Sequence, residues 1–197
     1  MEKTPIQLKI VLLGDAGVGK SSIVLRYVTD NFKTDADGTV GASYMGKILT
    51  INDTMVKLNV WDTAGQERYH SLARMYYKDA DAALLVYDIT KHDSFDGMLR
   101  WHKEVVENSK PNIVIAVAGN KEDLIDFEKV PLEEINEFVR PINAVFKKTS
   151  AKSNNGIEEL FNEIIYRLHP EVKNKPANRS TVKLETNEKK SAKKGCC

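Results

Sequence analysis

The fold of this chain follows from eight consecutive residues, Gly14-Asp15-Ala16-Gly17-Val18-Gly19-Lys20-Ser21. Residues 8–13, just before them, are apolar and rich in branched side chains, which predicts a buried strand. Residues 22–29, just after them, contain neither Gly nor Pro, which predicts a helix. A strand, a G-x-x-x-x-G-K-S loop and a helix in this order are typical of a phosphate-binding P-loop. The alternative is a glycine-containing turn that matches by chance.

Each residue type in this loop suits phosphate binding. Glycines let the backbone curl with its N–H groups pointing inward, and the helix N-terminus adds partial positive charge. We expect Lys20 to reach the β- and γ-phosphates and the Ser21 hydroxyl to bind Mg²⁺. The predicted nucleotide-binding residues here are Asp15, Ala16, Gly17, Val18, Gly19, Lys20, Ser21 and Ser22.

Composition limits the class of protein. The 197 residues suggest one domain with or without a tail, and 42% apolar content is ordinary for a globular protein. No apolar run approaches the roughly 18 residues that a membrane span needs, and Glu2 excludes N-myristoylation. Cysteine occurs only at positions 196 and 197, so the folded part has no disulfide, which fits a reducing compartment.

Charge is distributed unevenly along the chain. The net charge is +1, but residues 170–197 hold eight basic and three acidic residues, so +5 lies there and about −4 on residues 1–169. A general nucleic-acid-binding domain is usually basic, whereas residues 1–169 are slightly acidic. We therefore expect no nucleic-acid partner.

Further apolar segments alternate between strand and helix patterns. The predicted strands are 44–51 and 55–61, paired as a hairpin about Asn52-Asp53, then 82–87, 113–118 and 144–146. The predicted helices are 94–108 and 132–139, and a last one with an apolar face at Ile157, Leu160, Phe161, Ile164, Ile165 and Leu168.

This alternation predicts an α/β fold: a mostly parallel sheet of six strands with helices on both faces. Ligands of such sheets bind at the carboxyl ends of the strands, where the P-loop, Asp62 and Asn120 each follow a strand. Apolar periodicity vanishes from Pro170 onward. We therefore predict an N-terminal extension at 1–6, one domain at 7–169 and a disordered tail at 170–197.

A second motif, Trp61-Asp62-Thr63-Ala64-Gly65-Gln66-Glu67, suits hydrolysis next to a P-loop. Asp62 would hold Mg²⁺, usually through water, and the Gly65 N–H would approach the γ-phosphate. Gln66 carries the donors and the acceptor needed to orient an attacking water, so it is the predicted catalytic residue. Taken alone, the segment is equally an ordinary turn.

A third motif, Asn120-Lys121-Glu122-Asp123, suits selection of the base. The Asp123 carboxylate can accept from guanine N1–H and the 2-amino group, which adenine lacks. The Lys121 stem would cover a face of the base, and Ser150-Ala151-Lys152 would offer backbone N–H groups to the base oxygen. The alternative is a solvated charged loop. Thr39 is the candidate for the second Mg²⁺ hydroxyl ligand, although spacing alone favours an exposed loop threonine. Spacing likewise allows Phe32 to be simply a core residue.

These motifs occur in the order found in the Ras superfamily of small GTPases, and residues 7–169 resemble that domain throughout. Within the superfamily, the chain resembles a Rab. The matching segments include Thr39-Val40-Gly41-Ala42-Ser43-Tyr44, Leu85-Val86-Tyr87-Asp88-Ile89-Thr90 and the terminal Cys196-Cys197. Tyr69-His70-Ser71-Leu72-Ala73 and Pro111-Asn112-Ile113-Val114-Ile115-Ala116 resemble the early-endosomal Rab branch.

The resemblance implies a Ras-like P-loop GTPase fold and a GTP/GDP switch with slow hydrolysis that regulates endosomal vesicle traffic. It implies that Thr39 binds Mg²⁺ and the γ-phosphate, that Phe32 lies near the base, and that effectors contact Tyr44, Trp61 and Tyr76. The sequence departs from the family at Ala16, where most Rabs carry Ser or Asp, and at Tyr44, where Phe is usual.

The resemblance also implies partners: an exchange factor, a GTPase-activating protein, a GDP-dissociation inhibitor, effectors, and Rab escort protein with geranylgeranyl transferase. It implies prenylation of Cys196 and Cys197, and thus a lipid anchor on the cytoplasmic face of early endosomes, with cycling through the cytosol. Composition alone favours two unmodified thiols. Two other functions remain alternatives, a P-loop kinase and a nucleotide-locked scaffold, although Asp123 disfavours the first and Gln66 the second.

Overall fold

The central strand of the sheet, β1 (Ile6–Leu13), leads directly into the phosphate-binding loop. The structure is a computed structural model that describes residues 4–33, 39–65, 70–173 and 183–185. The other main strands are β2 (Ala42–Ile51), β3 (Thr54–Thr63), β4 (Ala82–Asp88), β5 (Val114–Asn120) and β6 (Val145–Thr149). They lie in the order β6-β5-β4-β1-β3-β2.

The predicted mostly parallel sheet of six strands is confirmed. β1 pairs in parallel with β3 and β4, and β5 pairs in parallel with β4 and β6. Only the β2–β3 pairing within these six strands is antiparallel. The turn between β2 and β3 is Asn52-Asp53, with φ of 48° and 62°, as a two-residue hairpin turn requires.

Helices cover both faces of the sheet. They are α1 (Lys20–Thr29), α2 (His70–Tyr77), α3 (His92–Asn108), α4 (Leu132–Val139) and α5 (Ile157–Leu168), with a 3-10 helix at Glu122–Phe127. Side chains alternate along β1, so Ile10 and Leu12 join the core with α1 and α5. Val11 and Leu13 join the core with α2, α3 and α4. Both faces of the sheet are therefore buried, which explains why residues 10–13 of β1 form an uninterrupted apolar run.

Two elements differ from the sequence prediction. The last main strand was predicted at 144–146 but continues to Thr149, because Lys147 and Lys148 lie on an edge strand where charged side chains reach solvent. The sequence pattern predicted no helix at 70–77, where the structure has α2, which is held by the buried side chains of Ala73 and Tyr77.

Order also continues beyond the predicted boundary at residue 169. A short helix, α6 (Pro170–Lys173), buries Val172, whose carbonyl accepts a 2.8 Å hydrogen bond from the Asn52 side-chain amide. Residues Lys183–Glu185 form β7, which adds an antiparallel strand to the outer edge of β2. Residues 170–173 and 183–185 therefore have regular secondary structure within the segment that the sequence predicts to be a disordered tail. In the described ranges, none of the helices is long and apolar enough to cross a membrane.

Candidate functional site: a nucleotide pocket at the carboxyl ends of the strands

The phosphate-binding loop joins the end of β1 to the start of α1. Gly14 and Gly19 have φ of 145° and 97°, a region that disfavours other residues. A Cβ on Gly14 would collide with the Val86 carbonyl of β4, and one on Gly19 would collide with the Asn120 side chain. Glycine is therefore required here both for backbone conformation and for close approach. The loop ends at the N-terminus of α1, whose first N–H groups are available to an anion.

Lys20 is nearly buried, with 5% of its surface exposed. Its Nζ donates to the carbonyl oxygens of Gly14 and Asp15, at 2.7 and 2.9 Å, so the side chain lies back along the loop. Burial lowers the pKa of Lys20 to about 8, although Asp62 and Asp15 favour the charged form. A cation in this desolvated position is stabilised by a phosphate group.

Three oxygen-bearing side chains from separate segments meet at Ser21. Its Oγ donates to Asp62 Oδ2 at 2.5 Å and lies 2.7 Å from Thr39 Oγ1. Thr39 Oγ1 also donates to Asp62 Oδ2, at 3.3 Å. Burial raises the pKa of the Asp62 carboxyl group. The hydrogen bonds from Ser21 and Thr39 act in the opposite direction, but burial has the larger effect. The sequence predicts a strand that ends at residue 61, just before Asp62. In the structure β3 continues through Asp62 to Thr63.

This cluster fits a divalent metal ion. Asp62 is 2% exposed, and its Oδ1 is buried without a hydrogen-bond partner among the described residues. A buried, unsatisfied carboxylate oxygen beside two hydroxyl groups is a costly arrangement for a protein alone. Hydroxyl and carboxylate oxygens are also the ligands that Mg²⁺ prefers.

Gly65 lies directly against the phosphate-binding loop. A Cβ there would collide with the backbone of Asp15 and Ala16, so only glycine allows this approach. The preceding residue, Ala64, donates its N–H to the Gly41 carbonyl at 2.8 Å, which joins the segments that contain Asp62 and Thr39. Gln66 lies outside the described residues.

The motif that is predicted to select the base begins at Asn120, the last residue of β5. Asn120 is 2% exposed, and its Nδ2 donates to the Val18 carbonyl at 2.9 Å, while its Oδ1 accepts from Thr149 Oγ1 at 3.2 Å. Its side chain therefore connects the end of β5 to the phosphate-binding loop and to the end of β6. Asp123 Oδ1 accepts from Ser150 Oγ at 2.5 Å, so the two predicted base-binding segments are in direct contact.

Lys121 has the left-handed φ of 68°, and its Nζ lies 2.7 Å from Asp88 Oδ2. Asp88 is 1% exposed. Burial raises the pKa of its carboxyl group, but the hydrogen bonds from Lys121 and Thr90 outweigh burial and lower the pKa overall. Sequence reasoning missed Asp88. The sequence did contain a signal for it, because Asp88 is an acidic residue at the end of an apolar strand. The carboxyl ends of such strands form the edge of the sheet where ligands bind, and Asp88 pairs there with Asn120.

The remaining predicted residues lie around this centre. Ser22 is in the first turn of α1, Val18 is buried, and Ala151 and Lys152 follow β6. Phe32 is partly buried against the core on the α1 side, with the Arg26 guanidinium 6.0 Å from its ring centroid. Cys196 and Cys197 lie outside the described residues.

Three aromatic side chains form a contiguous group on β2, β3 and α2. The ring centroids of Tyr44 and Trp61 are 5.3 Å apart, and those of Trp61 and Tyr76 are 5.0 Å apart. Tyr44 is 42% exposed, and its hydroxyl donates to Asn59 Oδ1 at 2.8 Å. The hydroxyl group that distinguishes Tyr44 from Phe therefore forms a hydrogen bond between β2 and β3.

Comparisons with known proteins agree with this geometry. The Ras family model matches residues 9–169, which is most of the chain. The chain is 47% identical to Ras-related protein Rab-31 of Homo sapiens over 191 residues, which is 97% of each protein. It is 44% identical to Ras-related protein Rab-5A of Dictyostelium discoideum over 192 residues, covering 97% of this chain and 96% of that protein. It is also 44% identical to Ras-related protein Rab-22A of Homo sapiens over 191 residues, covering 97% and 98%.

The fold and the site define a small GTPase with a phosphate-binding loop. The chain belongs to the Ras family and, within it, to the Rab proteins of the early-endosomal branch. It is therefore a GTPase that switches between GTP- and GDP-bound states in endosomal vesicle traffic, and exchange factors, activating proteins, dissociation inhibitors and effectors are its classes of partner. This confirms the predicted fold class, family and activity.

Proposed function

We propose that Ser21, Thr39 and Asp62 form the magnesium-dependent part of the switch. The observation that carries the proposal is the contact of both hydroxyl groups with Asp62, whose other carboxylate oxygen is buried and unpaired among the described residues. Ser21 and Thr39 would bind Mg²⁺ directly and Asp62 would hold it, usually through water. The ion, when bound, neutralises charge on the phosphate oxygens. Thr39 would make these contacts in the GTP state and lose them after hydrolysis.

Lys20, the N–H groups of the phosphate-binding loop and the Gly65 N–H would hold the phosphate groups. The Gly65 N–H would bind the γ-phosphate and would lose this partner when the phosphate is released. Gln66 would orient the attacking water. The reaction would be slow because we assign no arginine finger within this chain to stabilise the charge of the transition state. The close approach of Gly65 to Asp15 and Ala16 supports this assignment, since it brings the segment before Gln66 against the loop.

Asp123 would select guanine by accepting from N1–H and the 2-amino group, while backbone N–H groups of residues 150–152 donate to the base oxygen. The Ser150–Asp123 hydrogen bond supports a shared base pocket. Asn120 would stabilise the pocket through its hydrogen bonds with Val18 and Thr149, and the second N–H of its side-chain amide would be available to the base. Lys121, tied to Asp88, would lay its stem across one face of the base, and Phe32 would lie at the other edge.

Tyr44, Trp61 and Tyr76 would form the surface that effectors contact. Residues 170–197 would end in a lipid anchor, with Cys196 and Cys197 prenylated by geranylgeranyl transferase after delivery by Rab escort protein. Two lipid chains would anchor the protein stably on the cytoplasmic face of early endosomes, and extraction by the dissociation inhibitor would return it to the cytosol.

Nucleotide release with and without Mg²⁺ tests the metal assignment. Chelation with EDTA should accelerate release of fluorescent mant-GDP from the parent protein at least about tenfold, because the phosphates lose a bridging cation. Ser21→Ala should release mant-GDP rapidly with or without EDTA. Thr29→Ala removes a hydroxyl group from the far end of the same helix, where it donates to the Leu25 carbonyl, and should retain the parent's response. An unchanged EDTA response in Ser21→Ala would exclude this hydroxyl group as a ligand.

A further inference from the structure

Arg26 joins the phosphate-binding helix to the loop that follows β6. It lies on α1, and its Nε donates to the Ala151 carbonyl at 2.8 Å, while its Nη2 donates to the Lys152 carbonyl at 3.2 Å. Its Nη1 donates to the Asp30 carbonyl at 2.7 Å, at the end of α1. The Arg26 side chain is 15% exposed. We propose that Arg26 is a positioning residue for guanine recognition, an inference that rests on the proposed role of residues 150–152.

The physical basis is the planarity of the peptide group. In a trans peptide, the carbonyl of one residue and the N–H of the next point in opposite directions. Since the Ala151 carbonyl points to Arg26, the N–H of Lys152 points away from α1. Arg26 therefore sets the orientation of a backbone donor in the segment proposed to bind the base oxygen. The planar guanidinium group offers several N–H donors in a rigid fork, which one lysine cannot reproduce.

The opposite side of this loop is held independently. Ser150 and Asn155 exchange backbone hydrogen bonds at 3.0 and 3.1 Å, and Ser150 Oγ contacts Asp123. The Ala151 side chain is buried in the core, and the Ser153 N–H donates to Ser150 Oγ at 3.1 Å, so the loop keeps its general position without Arg26. The Arg26 fork is what holds the carbonyls of Ala151 and Lys152, and so the orientation of the peptide between them. Loss of Arg26 should release this peptide while Asp123 stays in place.

Arg26 also lies close to Phe32, with 6.0 Å between its guanidinium carbon and the ring centroid. Loss of that contact would weaken binding of any nucleotide, whatever its base carries. Loss of the oriented Lys152 N–H would weaken only nucleotides with an oxygen at position 6. The two contributions therefore separate when nucleotides with and without that oxygen are compared.

The test uses the full chain and three probes: GDP, IDP and 2-aminopurine riboside 5′-diphosphate. GDP and IDP carry the 6-oxygen and the third probe lacks it, while IDP alone lacks the 2-amino group. Affinities are measured by displacement of mant-GDP for the parent, Arg26→Ala, Arg26→Gln and Arg26→Lys. We expect Arg26→Ala to lose about fivefold to tenfold more affinity for GDP and IDP than for the 2-aminopurine nucleotide, as loss of one hydrogen bond predicts. Arg26→Lys should recover part of this difference.

The matched control is Arg167→Ala, because Arg167 on α5 donates to the Asn143 carbonyl at 3.2 Å, in a connection that the base-binding motifs do not include. It should lower thermal stability without changing the ratio of the three affinities. An equal loss for all three probes in Arg26→Ala would overturn the proposal and leave Arg26 a structural residue. If Arg26→Ala does not fold, release rates from nucleotide-loaded Arg26→Gln and Arg26→Lys give the same ratios.

The same data separate this proposal from the proposed function. If the parent bound GDP and the 2-aminopurine nucleotide equally well, the base-selecting role of Asp123 and residues 150–152 would itself fail. If the parent strongly prefers GDP and the Arg26 variants keep that preference in full, only the role of Arg26 fails.

Discussion

The side-chain amide of Asn120 donates to the backbone carbonyl of Val18 at 2.9 Å, across 102 positions of sequence. This one hydrogen bond joins the motif proposed to select the base to the phosphate-binding loop. The Asn120 oxygen accepts from Thr149, so the loop after β6 is included in the same link. The segment proposed to recognise the base is therefore connected to the phosphate-binding loop and to the end of β6 through Asn120.

Asn120→Ala should accelerate nucleotide release. The substitution leaves the Val18 carbonyl and the Thr149 hydroxyl group without their partner in a buried position, which costs about 1–3 kcal/mol. We expect mant-GDP to dissociate at least tenfold faster, roughly the rate change that this free energy allows. Asn108→Ala is the control, because its side chain also donates to a backbone carbonyl, that of Glu104, but within α3. Equal release rates for both variants would contradict the bracing role.

Asp123→Asn should shift base preference from guanine toward xanthine. The new amide group can donate to the 2-oxo group of xanthine, whereas the lost carboxylate oxygen no longer accepts from the guanine amino group. Its retained oxygen can still accept from Ser150. Competition of GDP, XDP and ADP against a fluorescent nucleotide gives the preference. Asp126→Asn removes the same charge from an exposed position of the same 3-10 helix and should leave it unchanged.

Gln66→Leu should bind GTP normally but hydrolyse it at least about tenfold more slowly, because the attacking water loses its orienting amide group. Single-turnover hydrolysis of bound GTP measures this rate directly. The chain's other glutamine, Gln7, is exposed on β1, so Gln7→Leu should hydrolyse GTP at the parent rate. Hydrolysis by Gln66→Leu at the parent rate would require another residue to position the water.

Two histidines should titrate in opposite directions from the ordinary value of about 6.5. The Glu134 carboxylate, 3.0 Å from His92 Nε2, raises the pKa of His92, and Asp96 adds to this. Burial lowers the pKa of His102, whose ring packs edge-on against Phe138 with centroids 4.9 Å apart. NMR titration of the ring C–H signals from pH 5 to 8.5 measures both values. Shifts in the same direction would contradict the structure.

His92 and His102 therefore make contributions to folding stability that depend on pH in opposite directions. Since the folded pKa of His92 is raised, its contribution is present below pH 6.5 and is lost as pH rises through the folded value. Since the folded pKa of His102 is lowered, its contribution is present above pH 6.5 and is lost as pH falls through the folded value. Urea unfolding of the GDP-bound protein across this pH range should show His92→Gln losing stability mainly on the acidic side.

Removal of Cys196 and Cys197 should leave nucleotide affinity intact and move the protein from the membrane fraction to the soluble fraction of cells. Two lipid chains give stable anchoring where one is marginal, and nearby lysines add roughly 1 kcal/mol each at an anionic surface. Intact mass of the membrane-bound parent should show two isoprenoid additions. The mass of the bare chain in that fraction would contradict the lipid anchor. Replacing Ser191 and Ala192 with other small residues is the control for the tail.

The sheet and the loop that follows β1 could be predicted from the sequence, because these features depend on local chemistry. Branched apolar residues before a glycine-rich loop and a helix after it specify a phosphate-binding loop in any parallel sheet. The two-residue turn at Asn52-Asp53 was likewise predictable, since both residue types tolerate the left-handed region. Local patterns failed at β6, where an edge position allows two lysines in a strand.

The contacts between side chains in the site could not be predicted from the sequence, because they arise from tertiary packing. The links from Asn120 to Val18, from Lys121 to Asp88 and from Arg26 to residues 151–152 join segments that are distant in sequence. Each depends on the order and register of parallel strands, which bring the ends of β1, β4, β5 and β6 to one edge. No local preference encodes such a contact, because it forms only when packing of both sheet faces has placed these strand ends together.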